Sequence, residues 1–464
     1  MLIMSSDTDF TLTNSLEDSL ESSRLLQEEA QFLEVMLPDL HGQLRGKRLP
    51  MAMLDKVMEE GVNLPSAVFA LDVTGTTVDG TGLAWECGDR DYRCAPLVQT
   101  LAPIPWSRQP AAQVLLTMRD GEQGFFADPR TVAEAAVAAF AALGIQAQAA
   151  FELEFYLYRL DEAGRPHPVC NTVAPGGLQP GAEALQVYDL ECLGEHELFF
   201  DDVAGACRLQ GLELEGIVAE NAPGQFEVNL RYRRDALRAA EDALVLKRLV
   251  KGVARRHGLH ATFMAKPFPQ LAGSGMHVHV SLADDHGANI MAGCDNPRLG
   301  HALAGLLATL EEAVLLFAPH ANSYRRFEPG TYAPTVPCWA ENNRTAALRI
   351  PQSAAEDMRI EHRLPGADAN PYLVLAAMLQ GMLLGMERRL APPPAALGNA
   401  YESALAPLAL DWEKAIDRLG KGPLLGERLG AEFVRVLTTV KQGELQRYRT
   451  AFHPLEYAWG LERA

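Results

Sequence analysis

The 464-residue chain is 48% hydrophobic and 22% charged, the make-up of a soluble globular protein with room for roughly two to three domains. Its formal net charge of −19 argues against nonspecific nucleic-acid binding, which needs clustered Lys and Arg to neutralise phosphate. Seven scattered cysteines (87, 94, 170, 192, 207, 294 and 338) form no CxxC pair and read as reduced thiols of a cytoplasmic protein, not a disulfide frame or zinc knuckle.

Residues 1–14 are polar, with no basic-then-apolar leader pattern. Ser15–Met36 is predicted to be an acidic amphipathic helix, with Leu25, Leu26, Phe32, Leu33 and Met36 on or near one side and Pro38 as its stop. DLHGQLRGKRLP (Asp39–Pro50) has the glycine spacing of a hairpin, and NLPSAVFALDVTG (Asn63–Gly75) and GDRDYRCAPL (Gly88–Leu97) read as further β segments. Residues 15–115 are therefore expected to form a small strand-rich domain. Pro103, Pro105 and Pro110 mark a junction, and the strand Ala112–Met118 is expected to open the larger part, 116–464. Asp128 followed by Pro129 is a capped helix start, with Gly144 as the stop. Ala147–Leu160 reads as a strand, 161–187 as a polar insertion loop, and Asp235–His257 and Arg298–Phe317 as long helices. The most apolar run, Leu373–Met386, follows an Asn370–Pro371 cap; at about 14 residues, broken by Gln380 and two glycines, it suits a buried helix and is too short to span a bilayer. The triple proline at 392–394 marks an exposed linker.

Four segments carry polar residues at spacing two, which puts them on one face of a strand. They are Glu152 and Glu154 in FELEFYLY, Glu227 and Asn229 in GQFEVNL, His277, His279 and Ser281 in GSGMHVHVSL, and Glu361 and Arg363 in RIEHRLP. Carboxylates avoid a buried strand face unless cations compensate them. Arginines are at hand at 325, 326, 344, 349, 359 and 363. Glutamates joined by an imidazole are hard ligands that favour Mg²⁺ or Mn²⁺, and arginine forks suit phosphates and carboxylates. Metal with arginine is the equipment of phosphoryl transfer. For any single pair, a solvated salt-bridged strand face is the commoner outcome; four such segments beside glycine-rich loops make it a poor account. A His-x-His zinc hydrolase needs a third His or Cys and a base, and no HExxH is present; GKGPLLG (Gly420–Gly426) lacks the order of a P-loop.

In this order the motifs FELEFYLY, AENAPGQFEVN, KPFPQLAGSGMHVHVSL, NSYRRFEPG, NNRTAALRIP and RIEHRLPGADANPYL resemble the glutamine synthetase superfamily over nearly the whole chain, most closely its γ-glutamylpolyamine synthetase branch. The resemblance implies an α+β fold: a β-grasp N-terminal domain, and a catalytic domain with an antiparallel, funnel-shaped sheet flanked by helices. It also implies a cytoplasmic double-ring dodecamer with sites between subunits, and no nucleic-acid or membrane partner. Carried over, it makes Glu154, Glu220 and Glu227 ligands of one metal and Glu152, His277 and Glu361 of a second. His279 and Ser281 fall where ATP is contacted, Arg349 and Arg359 on its phosphates, and Gly273, Arg326 and Arg363 where glutamate is held. Arg344 matches the arginine that neutralises the transferring phosphoryl group. The implied reaction phosphorylates the γ-carboxylate of glutamate with ATP and then admits an amine to the acyl phosphate.

Three departures from the family pattern gather on the amine side. Tyr332 stands where the flap has a glutamate, FALDVTG replaces the ammonium-site FDGSS so that Asp72 is an approximate counterpart, and Ala272 replaces the Asn before GSGMH. The expectation is retained ATP and glutamate chemistry with a changed amine: a di- or polyamine, with Asp72 and Tyr332 on it and Glu220 taking its proton. A monoamine with an aromatic or hydroxyl tail, ammonium itself, and a catalytically silent ring-forming homologue are the alternatives.

Overall fold

A computed structural model describes residues 30–169, 185–461 and 463. The fold is α+β, built on two sheets. The first contains β1 (Phe32–Pro38), β2 (Leu44–Pro50), β3 (Val62–Pro65), β4 (Asp91–Pro96), β5 (Ala102–Pro103), β6 (Ala111–Asp120) and β7 (Gln123–Gly124), in the order β2-β1-β6-β4-β3, with β1 and β6 parallel. The second contains β8 (Ile145–Leu160), β9 (Pro166–Pro168), β10 (Leu214–Ala219), β11 (Gln225–Leu230), β12 (His260–Thr262), β13 (Met276–Asp284), β14 (Trp339–Glu341), β15 (Leu348–Ile350) and β16 (Ile360–His362). Its order is β10-β11-β8-β13-β16-β15-β14, antiparallel throughout except for β14 with β15.

The helices are α1 (Leu54–Glu60), α2 (Pro129–Ala141), α3 (Leu190–Gly194), α4 (Glu197–Leu209), α5 (Ala236–Arg256), α6 (Pro297–Phe317), α7 (Pro371–Arg388), α8 (Trp412–Lys421), α9 (Gly426–Leu429), α10 (Ala431–Thr450) and α11 (Pro454–Gly460). Asp128, Asp235, Asn296 and Asn370 cap α2, α5, α6 and α7 through side-chain oxygens, which satisfies amides that a helix start otherwise leaves bare. On β8, Phe151, Leu153, Phe155 and Leu157 are fully buried on the face that receives α2 and α5. The even-numbered residues of that strand are left for the opposite face.

By length and composition α6 could cross a membrane, but 67% of its apolar window is buried, against α7 and α8. It is a core helix. At the α6–α7 crossing, a Cβ on Gly305 would lie 2.1 Å from the Gly381 carbonyl oxygen, so glycine there permits an approach no other residue allows. The last long helix, α10, returns to the first sheet. Glu444 Oε1 lies 2.6 Å from His41 Nε2 and accepts from the Val73 amide at 2.7 Å, while Lys441 Nζ donates to its Oε2 at 2.9 Å.

The C-terminal part of the expected helix at Ser15–Met36 is a strand. The first fifteen residues of that segment, 15–29, lie outside the described residues, and Phe32–Pro38 is β1. A short apolar run fits both periodicities, and pairing with β2 on one side and β6 on the other decides for strand, burying Leu33, Val35 and Leu37. The hairpin is therefore β1–β2: its turn, Asp39–Gln43, and its second strand lie in the expected segment, and its first strand precedes it. The strand at Ala112–Met118 lies inside β6, at the centre of the first sheet, and does not begin the second.

Candidate active site

Strand register lays the polar face of the second sheet out as a row. Glu154 stands opposite Glu227; Glu152 stands between Asn229 and His277; His279 stands between Ala150 and Glu361; and Glu361 stands opposite Arg349. Glu220 comes from the turn after β10, where its amide donates to the Gln225 carbonyl at 2.9 Å. Like charges directly opposite on a sheet are unfavourable, so Glu154 beside Glu227 needs something in return.

Three overlapping sets bring ligand atoms within 4.8 Å of one another: Glu154, Glu220 and Glu227; Glu152, Glu227 and His277; and Glu152, His279 and Glu361. The first is the trio expected for one metal. In the others the histidines divide: Glu361 and Glu152 meet His279, the register partner of Glu361, while His277 turns to Glu152 and Glu227.

The electrostatics follow the same division. Burial, then the Glu154 carboxylate, pushes the Glu220 carboxyl up to about 8. Burial with Glu152, Glu154 and Glu220 pushes Glu227 well above the usual carboxylate range. Burial also opposes ionisation of Glu361, but Arg363, His279 and His277 outweigh it and hold the group at about 2. Glu152 is likewise held well below its ordinary value, with burial overcome by His279 and His277. One end of the row is thus short of positive charge and the other is not. His279 Nε2 lies 2.9 Å from Glu152 Oε1 yet is buried without a hydrogen-bond partner. Glu220 and Glu227, both pushed toward protonation by burial and by neighbouring carboxylates, with Glu154 acting on each, fit a hard divalent cation.

Arginines close the far side. Arg349 Nη1 donates to Glu361 Oε2 at 2.7 Å, Arg363 Nη1 pairs with Glu361 Oε1, and Arg359 Nε donates to His279 Nδ1 at 3.3 Å. Arg326, 4% exposed, spends its guanidinium on the Leu364 and Arg363 carbonyls at 2.9 and 3.2 Å. Gly273 allows that side chain to pass, since a Cβ there would lie 2.6 Å from Arg326 Cγ. Arg344 is exposed, and its carbonyl accepts from Arg363 Nε at 3.1 Å. A cavity of about 720 Å³ adjoins the row and is lined by Glu152, His279, Ser281, Arg359, Tyr232 and Asn289 among others; Arg349 is not in its wall.

The two residues expected on the amine are held in different ways. Tyr332 caps the loop after Pro329 with a left-handed φ of 57° and is 56% exposed. Asp72 is buried in its own loop, where Oδ1 accepts from the Thr74 and Thr76 amides and the Thr74 hydroxyl, and Oδ2 from Arg447 Nη1 at 2.6 Å. Burial works against ionisation there, and Thr74, Thr76 and Arg447 reverse it, so the carboxyl is held below its usual range. Within one chain Asp72 does not join the Glu154 cluster.

Residues that sequence reasoning passes over also hold the site. Gln225 Nε2 donates to the Gly273 carbonyl at 3.0 Å and reaches Glu154 Oε2 at 3.4 Å, while the Gly275 amide donates to the same oxygen at 2.7 Å. Lys266 Nζ pairs with Glu328 on the Tyr332 loop at 3.2 Å.

The glutamine synthetase catalytic-domain family matches residues 126–460. The chain is 39% identical over 440 residues to the gamma-glutamylputrescine synthetase PuuA of Escherichia coli (strain K12), covering 94% of this chain and 92% of that one. It is 34% identical over 431 residues to the gamma-glutamylethanolamide synthetase GlnA4 of Streptomyces coelicolor, covering 92% and 91%. A solved structure of apo GmaS without ligand superposes with a TM-score of 0.81 at 27% identity, over 95% of this chain and 99% of that one.

Proposed function

The chain belongs to the glutamine synthetase family and is an ATP-dependent carbon–nitrogen ligase, and from that premise we propose that it joins the γ-carboxyl of glutamate to a di- or polyamine. The observation that carries the reading is the uncompensated carboxylate cluster at one end of a single sheet face, with buried arginines at the other.

In this reading Glu154, Glu220 and Glu227 would hold one divalent cation, Mg²⁺ or Mn²⁺, and Glu152 and Glu361 with His277 or His279 a second. Bound there, such ions neutralise phosphate oxygens. ATP lies in the cavity against His279 and Ser281, with Arg359 and Arg349 on its phosphates. Arg326 and Arg363 with the Gly273 loop orient glutamate so that its γ-carboxylate faces the transferred phosphoryl, whose charge Arg344 offsets. The amine nitrogen then attacks the acyl carbon, the C–O bond to phosphate breaks, and the excess proton passes to Glu220. Tyr332 offers an aromatic face at the mouth, which packs on methylenes or a cation. That suits an amine with a carbon skeleton better than bare ammonium.

The polyamine choice is supported by the 39% identity to a putrescine enzyme. A hydroxyalkyl monoamine is the second reading, favoured by the 34% identity to an ethanolamide synthetase. Glutamate-dependent ADP release measured across an amine panel separates them by kcat/KM. Ammonium beating every organic amine would sink both. The reading also takes the chain to work as a homo-oligomeric double ring in which Asp72 of one protomer serves a neighbour's amine pocket; its support is that Asp72 makes no contact with its own cluster.

A further inference from the structure

The Tyr332 loop is anchored at its foot. Tyr332 is exposed, but the next residue, Ala333, is 2% exposed and its carbonyl accepts from Tyr401 Oη at 3.0 Å. Tyr401 belongs to a strap over residues 393–410 that crosses the foot of the loop. The Leu408 amide donates to the Thr335 carbonyl at 2.8 Å, and Trp339 Nε1 donates to the Pro393 carbonyl at 2.7 Å. The same strap grips both neighbours of Arg344: Asn343 Nδ2 donates to the Gly398 carbonyl at 2.7 Å, and the Ala400 amide donates to Thr345 Oγ1 at 2.9 Å. Ala400 is buried with Val336, Cys338, Ala340 and Ala346, so strap, loop foot and Arg344 segment share one small apolar cluster.

The Tyr401 phenol is half-buried, and burial raises its pKa against the pull of Arg326 and Arg363, which keeps it a protonated donor at neutral pH. Its ring therefore stands within electrostatic reach of the two arginines assigned to glutamate while its hydroxyl holds the loop that faces the amine.

We propose that Tyr401 is a positioning residue for the amine step: its hydroxyl fixes the Tyr332 loop over the glutamate site, so that an amine and not water reaches the acyl phosphate. This rests on the ligase reading above. If the loop lifts, water attacks the acyl carbon instead, the same C–O bond breaks, and glutamate and phosphate are returned with ATP consumed and no amide made. The readout is the ratio of ADP released to γ-glutamylamide formed.

One neutral hydrogen bond has a net worth that corresponds to a change of about threefold to tenfold. The Tyr401→Phe variant is accordingly expected to raise the ADP-to-amide ratio by about that factor at saturating glutamate, and to raise KM for the amine more than KM for glutamate, with Tm close to wild type. Placing p-aminophenylalanine at 401 keeps a donor at the para position and is expected to restore coupling. Wild-type enzyme that releases no ADP in response to glutamate and amine would overturn the ligase reading itself. A wild type that couples normally beside a Tyr401→Phe variant with an unchanged ratio overturns the positioning role alone, as does a raised ratio that the para-amino residue fails to correct. Should Tyr401→Phe fold poorly, O-methyltyrosine at 401, which keeps ring and oxygen but removes the donor, takes its place: a raised ratio is expected, and an unchanged one overturns the positioning role.

Discussion

Glu227 is the residue whose environment most needs a partner. It stands opposite Glu154, lies beside Glu220 and is pushed well above the carboxylate range by burial and by both neighbours. Glu227→Ala should lower kcat/KM by about 10²-fold or more, on the scale of losing a preorganised electrostatic group. The same change should shrink the rise in Tm that Mg²⁺ or Mn²⁺ gives wild type, since ligands stabilise by binding the folded state. A variant with near-normal kinetics and an undiminished metal shift would remove the cluster from the assignment. Most of this row is legible in the sequence because spacing two on a strand is a local signal, and Glu152, Glu154, Glu227, His277, His279 and Glu361 all carry it. Glu220 sits in a turn without periodicity and is reached only by family resemblance. Gln225 and Tyr401 give no local sign at all, because their partners are 48 and 68 residues away. Which histidine meets Glu361 is a matter of cross-strand register, which is absent from either strand read alone.

At the level of elements, capped helices and strands that alternate polar with apolar residues are read correctly, and a short apolar run and two helices are not. The caps at Asp128, Asp235 and Asn370 are where the sequence puts them. Helices α3 and α4 go unread although Asp189 caps the first and Phe199, Phe200, Val203 and Cys207 make a helical stripe on the second; they follow the polar sequence 161–187, whose composition masks the change of pattern. Phe32–Pro38 is misread because tertiary pairing overrides a short apolar run. The α6–α7 contact is likewise invisible in sequence, since a glycine in a helix says nothing about what it faces. There Gly305→Ala should destabilise by about 1–3 kcal/mol, the usual range for overpacking, although alanine is the better helix former elsewhere. Chemical denaturation measures it. A midpoint at or above wild type would show that the two helices can move apart.

For the whole molecule, the prediction is assembly. Asp72 is locked into its loop by Thr74, Thr76 and Arg447 and is remote from its own chain's cluster in contacts, so a site that uses it must draw on a second protomer. Light scattering of the active enzyme should report a homo-oligomer of ring size, and mixing Glu227→Ala with Asp72→Asn subunits under conditions of exchange should regenerate some fully active sites. An active monomer would end this line. A further consequence lies in how α10 holds the first sheet. His41 and Glu444 are 403 residues apart in the chain, and Glu444 also holds the amide of Val73, beside Asp72. During synthesis these early segments leave the ribosome long before their partner does, because translation proceeds from the N-terminus. The loop that carries Asp72 therefore waits for nearly the last helix to emerge before it gains this anchor, so it is completed only after the second sheet has been made.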